Sequence, residues 1–492
     1  FTAGKRIPQA MWSWQILQDF LYRDTREVGL RYHKPVWTAL EWNVPGHDHA
    51  ATGILAGQFP GRGKKGNADA LARFEYLFDR EDKDLSEGNH QGWTGKETSP
   101  SKANRNAGIF GHQKALKAVQ WMQKLYPLES YIIPNHVERR GAWKPRMGGG
   151  NGWNIEHIRD LNNSGPDVCF GWEGQPGHQG KKKRGGYRKG SSGGGTYGGT
   201  GLYSAAIGNM WDALLGEGRH WWFFANCDWH RGQETGEESR DFWPGQYQRN
   251  YVWVKDKNQY DAQDILDGMR SGNSFVVMGD LVDGLKFQAT GMKQMFWGLK
   301  IMNNTPKTMG QTLFVNPGDV VVLVIEIRDP EDANHCPYSF NNPSLRQLEI
   351  ERALNKPELN HVDLISGEIT GPVDPGNPHY KDPKNPTTRI LRRVLKEEMI
   401  DEQNGWKKFF YVYRAEKGRH RYFRLRGTNL PPGTPYETSK TGDPLPDIKS
   451  GNIPCSAQNC TNGKLDQDVE AWADLWFYSN PIFVKVRESR KK

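Results

Sequence analysis

Apolar positions up to about Gly298 fall into two alternating patterns. Trp14, Leu17, Phe20, Leu21 and Val28 recur at helical spacing over Met11–Val28, and Gly29 marks an end. Pro35–Val44 is a short apolar run closed by Pro45-Gly46, which predicts a strand with Glu41 inside it. Leu116, Val119, Met122 and Leu125 share one face of a helix over Gln113–Leu125, and a strand is predicted at Ser130–Pro134. A helix at Asn154–Leu161 precedes a strand at Asp167–Phe170, and a helix at Ile207–Leu215 precedes the apolar run that opens Trp221–His230. A helix near Asp261–Arg270, stopped at Gly272-Asn273, precedes a strand at Ser274–Met278. Helix followed by strand, five times over, predicts a parallel α/β domain. The polar segment Gly61–Asn106 and the Gly-rich segment 180–201 read as long insertions in it.

Beyond Gly298 the pattern changes. Thr312–Asn316 and Asp319–Ile327 flank Pro317-Gly318 and predict a β-hairpin. Leu348–Arg352, Lys408–Arg414, Arg421–Arg426 and Ile482–Val486 also read as strands between Pro-, Gly- and Asn-rich loops. The expected organisation is therefore an α/β domain over 1–298, then an antiparallel, β-sandwich-like domain over 299–492.

With 36% hydrophobic residues and 19 Trp, the chain has enough apolar mass for two sizeable cores. No apolar stretch approaches the roughly 20 residues of a membrane span, and Phe1 opens no signal peptide. Cys455 and Cys460 sit close together in a polar loop and are expected to pair, free thiols being the alternative. A disulfide implies a periplasmic or extracellular setting, reached after removal of a leader. The net charge of +9 is most concentrated in Lys181–Lys189, inside the Gly-rich segment. That context favours a solvated, mobile loop, or a lid over an anionic substrate, and makes nucleic acid an unlikely partner.

Candidate chemistry gathers just after the strands. Glu41 is followed by His47, Asp48 and His49; His136 by Arg139 and Arg140; Glu173 by His178; and Asp228 by His230. A carboxylate in an apolar strand is costly unless paired or bound to metal. Asp228 and His230, two apart on an extended chain, would project to one side. Four strand ends carrying such groups predict a shared metal site, and a barrel accounts for their convergence better than an open sheet. A parallel barrel needs a strand before its first helix, so one βα unit is expected to be missing before Phe1.

The strings Ala39–His49, Pro134–Gly141, Gly171–Gln179, Ala225–His230 and Asp241–Tyr247 resemble, in order, motifs of the polymerase and histidinol phosphatase (PHP) superfamily. The likeness is to its large, often exported bacterial members and covers most of residues 30–285. It implies a distorted β/α barrel holding one to three Zn, Mn or Fe ions at the strand ends. Glu41 would then be a bridging carboxylate, His49 and His136 ligands, and Asp228 with His230 the closing Asp-x-His pair. His47 has no counterpart and would support the ligands, while Glu173 and His178 would contact metal or substrate. The His-x-His pair with which the family opens is missing from the chain. The resemblance implies a phosphoesterase acting on a small phosphorylated or anionic substrate through a metal-activated water. Asp228 or His230 would relay a proton, and Arg139 and Arg140 would neutralise phosphoryl oxygens. The alternatives are a non-catalytic extracellular scaffold or polymer-binding protein, and a metalloenzyme acting on C–N bonds. Oligomeric state is not legible.

Overall fold

The apolar runs do form strands, but most pair antiparallel rather than parallel. The computed structural model describes residues 11–58, 69–85, 87–97, 108–143, 152–181, 183–187, 191–229, 242–295, 298–301, 305–455 and 460–488. They fall in two compact units, Phe1–Trp172 with Trp253–Arg270, and Glu173–Val252 with Ser271–Lys492. The fold is mixed α/β, and no closed barrel is seen among the described residues.

In the first unit, three helical segments, Ser13–Ile16, Leu17–Leu21 and Tyr22–Tyr32, run on past Gly29. The end comes at His33, whose left-handed φ of 50° turns the chain out of the helix. Strand Leu40–Asn43 pairs antiparallel with His49–Ile54, which pairs antiparallel with Ser130–Pro134. The parallel expectation fails here for a simple reason. Only Val44–Asp48 separate the first two strands, and a parallel crossover needs about a dozen residues or more. Gly46 takes the turn at φ 82°, where a Cβ would meet the His112 backbone nitrogen at 2.9 Å.

The segment expected to be a polar excursion holds the helix Asp69–Phe78. Leu71, Phe74, Tyr76 and Leu77 on it are buried, and Phe74 packs edge-on against Trp42 at 5.0 Å. Asp167–Phe170 forms no strand; the extended segment is Gly171–Gln175. The helix Ala262–Ser271 returns to this unit, where Arg270 donates to the carbonyls of Leu128, Ser130 and Asp167.

In the second unit, Trp222–Ala225 pairs with Gly171–Gln175. The rest is built on two large, mainly antiparallel sheets, which already include Gln248–Val252, Ser274–Met278 and Gly284–Met295 from before Gly298. Val320–Arg328 alternates cleanly, with Val321, Leu323, Ile325 and Ile327 buried. The hairpin expected at Pro317-Gly318 does not form. Thr312–Val315 pairs parallel with Ile482–Val486 in one sheet, and Val320–Arg328 pairs with Gly284–Met295 and Trp406–Arg414 in the other. Asn316 turns the corner instead, its backbone N–H donating to Asp319 at 2.7 Å. Leu348–Arg352 is not a strand. Cys455 and Cys460 are bonded. The Gly-rich segment is not simply solvated, because Arg184, Tyr187, Thr196 and Thr200 within it are buried. Among the described residues, no helix is long and apolar enough to cross a membrane.

His361, on the strand His361–Ile369, is fully buried, and burial drives its pKa down to about 4 from 6.5. The folded state therefore prefers the neutral ring. The stability this contributes is present above pH 6.5 and lost as pH falls through about 4, on the order of 3 kcal/mol. Urea unfolding of wild type and His361→Gln at stepped pH checks this: the gap between them should shrink on acidification. A gap independent of pH would refute it.

Candidate metal centre

Glu41 and His49 come together because their strands are neighbours. Glu41 lies opposite Ala51 and Asn43 opposite His49, so the two side chains are diagonal on one face. His136 follows the end of the third strand. Asn135 docks that end, its N–H donating to His49 O at 3.0 Å and its side chain accepting from Ala51 N at 2.9 Å. At His136 the backbone takes φ 33°, which turns the chain out of the sheet. The result is a group of Glu41, His49 and His136 whose donor atoms all lie within 4.8 Å of one another.

The contacts within this group are close. His49 Nδ1 is 2.9 Å from Glu41 Oε1 but has no hydrogen-bond partner. His136 Nε2 is 3.9 Å from Glu41 Oε1, and His136 Nδ1 is 3.2 Å from Asp48 Oδ2. Neither His136 nitrogen, nor Asp48 Oδ1, has a hydrogen-bond partner. Buried polar atoms are normally satisfied, so imidazole nitrogens left without a partner beside carboxylates fit a shared cation. The carboxylate and imidazole donors suit Zn, Mn or Fe.

Asp48 belongs to the site, although the resemblance assigns it no ligand role. It is 1% exposed, and Arg140 Nε also lies 3.2 Å from its Oδ2. Burial works against its charge, yet His136, His49 and Arg140 hold it well below the usual carboxylate range. Burial and Arg139 likewise oppose a charge on His136, but Asp48 and Glu41 outweigh them and push its pKa up to about 9.

His47 is not in this group. It is fully buried, stacked on Trp153 at 3.9 Å, with Nε2 2.9 Å from His112 Nδ1 and Nδ1 3.2 Å from Gly152 O. It sits in the turn Val44–Asp48, closed by His47 N to Val44 O and Val44 N to Asp48 O. Arg80 pins the same turn through the carbonyls of Val44 and His47. Arg139 is buried, and part-exposed Arg140 donates through Nε to Asp48 Oδ2 at 3.2 Å.

Glu173, His178 and Asp228 lie in the second unit and form a group of their own. His178 Nε2 is 3.0 Å from Asp228 Oδ2, and Gly177 N donates to Glu173 Oε1 at 3.2 Å. The strand ends at Ala225, and Asp228 has φ 49°, so extended alternation does not carry through to it. Asn226 instead caps Asp228 N at 3.0 Å. Gly177 is required by packing, because a Cβ there would sit 2.2 Å from that of Asp228. His230 lies outside the described residues. No family model matches the chain, and no curated protein or solved structure matches it either.

Proposed function

We propose that the chain is a metal-dependent phosphoesterase of the polymerase and histidinol phosphatase type. The observation that carries the reading is the convergence of Glu41, His49 and His136, with buried ligand atoms left unsatisfied. Three protein donors are the number that catalytic zinc sites keep, leaving a position for water or substrate. The side chains of Glu41 and His49 are 33% and 25% exposed, so solvent reaches the group from one side. On this reading the three-stranded sheet corresponds to part of the family's distorted β/α barrel, and the two large sheets form a β-sandwich.

Glu41, His49 and His136 would hold the ion, which when bound supplies a Lewis acid and a water of lowered pKa. Asp48, whose Oδ2 lies 3.2 Å from His136 Nδ1, would orient that ring once Nε2 holds the ion, as outer carboxylates do for metal-bound imidazoles. Arg140, charged and part-exposed beside Asp48, favours an anionic substrate at the same opening. The Cys455–Cys460 bond supports a periplasmic or extracellular setting.

The test is elemental analysis of gently purified protein, beside hydrolysis of p-nitrophenyl phosphate, its bis ester and a p-nitroanilide. Bound Zn, Mn or Fe with turnover of a phosphate ester is the expected result. Turnover of the anilide alone would move the activity to C–N bonds. Protein that takes up no transition metal after reloading would overturn catalysis and leave a scaffold.

A further inference from the structure

Several arginines are buried in the second unit, and two of their settings are matched in charge. Arg424 faces Asp212, with Nε and Nη2 each 2.8 Å from its carboxylate. Arg426 and Arg393 share Asp363, and Arg426 also reaches Asp443. Arg184 is different. Its Nη1 lies 3.0 Å from Glu470 Oε1, 3.0 Å from Asp474 Oδ2 and 3.7 Å from Asp447 Oδ2. Glu437 joins Glu470 and Asp474 in a group whose ligand atoms all lie within 4.8 Å of one another. These three are at most 2% exposed, and Asp447 is 5% exposed. Three carboxylates therefore meet one guanidinium, and a fourth, Glu437, lies against two of them.

Hydrogen bonds do not close the deficit. Ser344 Oγ donates to Glu437 Oε1 at 2.7 Å, and Trp476 Nε1 donates to Asp474 Oδ1 at 2.6 Å. Asp447 accepts from Thr196 Oγ1 and from the backbone of Gly198 and Gly199. Glu470 Oε2, on a fully buried side chain within the group, has no hydrogen-bond partner, because the nearby Ser450 hydroxyl, which favours the Glu470 charge, donates to Asp447 O at 2.6 Å. A sealed carboxylate oxygen without a donor is strongly unfavourable unless a proton or a cation meets it. Burial pushes Glu470 up to about 8 and Asp474 up to about 6. Protons on Glu437 and Glu470 would still leave Asp447 and Asp474 facing Arg184 alone.

We propose that Glu437, Glu470 and Asp474 form a second cation site, which takes a hard divalent ion such as Ca²⁺ or Mg²⁺. All-oxygen donors select such ions, whereas the imidazoles of the first group favour transition metals. The donors come from the loop around Glu437, the helix Gln467–Ala473 and the residue that follows it. An ion here cross-links these segments and stabilises the folded state by mass action. The inference stands independently of the phosphoesterase reading.

Tb³⁺ is a suitable probe, because the Trp476 indole that bonds Asp474 is placed to sensitise its luminescence. The full chain is stripped of metal and titrated with Tb³⁺, then with Ca²⁺ as competitor. Expected are tryptophan-sensitised luminescence that Ca²⁺ displaces and a rise in Tm on adding Ca²⁺. Both should persist in Glu41→Gln and disappear in Glu437→Gln/Glu470→Gln. Stripped wild type that shows neither effect would overturn the site. So would a signal lost in Glu41→Gln and kept in the double variant, or a double variant as stable as wild type and equally responsive to Ca²⁺. If the double variant does not fold, the wild type and Glu41→Gln still decide.

Discussion

His136→Ala is expected to empty the first metal group and to lower kcat/KM on phosphate esters by about a hundredfold or more. The imidazole is 2% exposed. Its loss leaves Glu41 and His49, fewer than the three donors that catalytic sites keep. It also leaves Asp48 with Arg140 as its nearest cation. The fold should survive, because Asn135, not His136, anchors the strand end through His49 O and Ala51 N. Elemental analysis, kinetics and circular dichroism on one preparation check all three statements. His47→Gln is the control. That residue packs on Trp153 and His112, so its replacement should leave the metal in place. Metal and activity unchanged in His136→Ala would sink the proposed site.

The residues that sequence reading located best are those whose signal is local. Ser274–Met278 and Ile482–Val486 form strands as expected, because short apolar runs bounded by breakers leave little choice. Glu41, His49 and His136 come together as expected, since each follows or interrupts such a run. Pairing partners were less legible. Pro317-Gly318 carries a hairpin signal, yet the strands on either side join different sheets, a choice made by tertiary packing. Asp48 was named beside His47 and His49 but given no role, because nothing local shows which of the three faces His136. The turn over Val44–Asp48 decides it and brings Asp48 to His136. The helix Asp69–Phe78 was hidden by the Lys-, Gly- and Asp-rich sequence around it, although Ala70, Phe74 and Leu77 keep helical spacing. Arg184 was hidden in the same way by its basic, Gly-rich context. No local pattern shows that the carboxylates meeting it lie near the other end of the chain.

The largest loss of stability is expected from Arg424→Ala, at about 3–5 kcal/mol. On the strand His420–Thr428, Phe423 and Leu425 are buried on one face while Tyr422, Arg424 and Arg426 project to the other. Arg424 is fully buried and forms a two-pronged pair with Asp212, on the helix Met210–Gly216, while lying 4.7 Å over the Trp211 ring. Removing it strands Asp212, 1% exposed, with the Tyr422 hydroxyl at 3.0 Å as its remaining side-chain donor across the sheet. An unmatched buried carboxylate cannot recover its hydration, so the cost should exceed that of the lost packing. Arg424→Lys keeps the charge but not the fork, and should fall between wild type and alanine. Arg424 Nη1 has no hydrogen-bond partner even in the intact pair, so the pair itself is an imperfect arrangement. Replacing both members with apolar residues, as in Arg424→Met/Asp212→Leu, should therefore restore most of the stability that Arg424→Ala loses. Calorimetry of the four proteins at one pH measures the order. If Arg424→Ala costs under about 1 kcal/mol, water reaches Asp212 and the pair is not sealed. If the apolar double variant is worse than the alanine single, the ion pair contributes net stability and the desolvation argument fails.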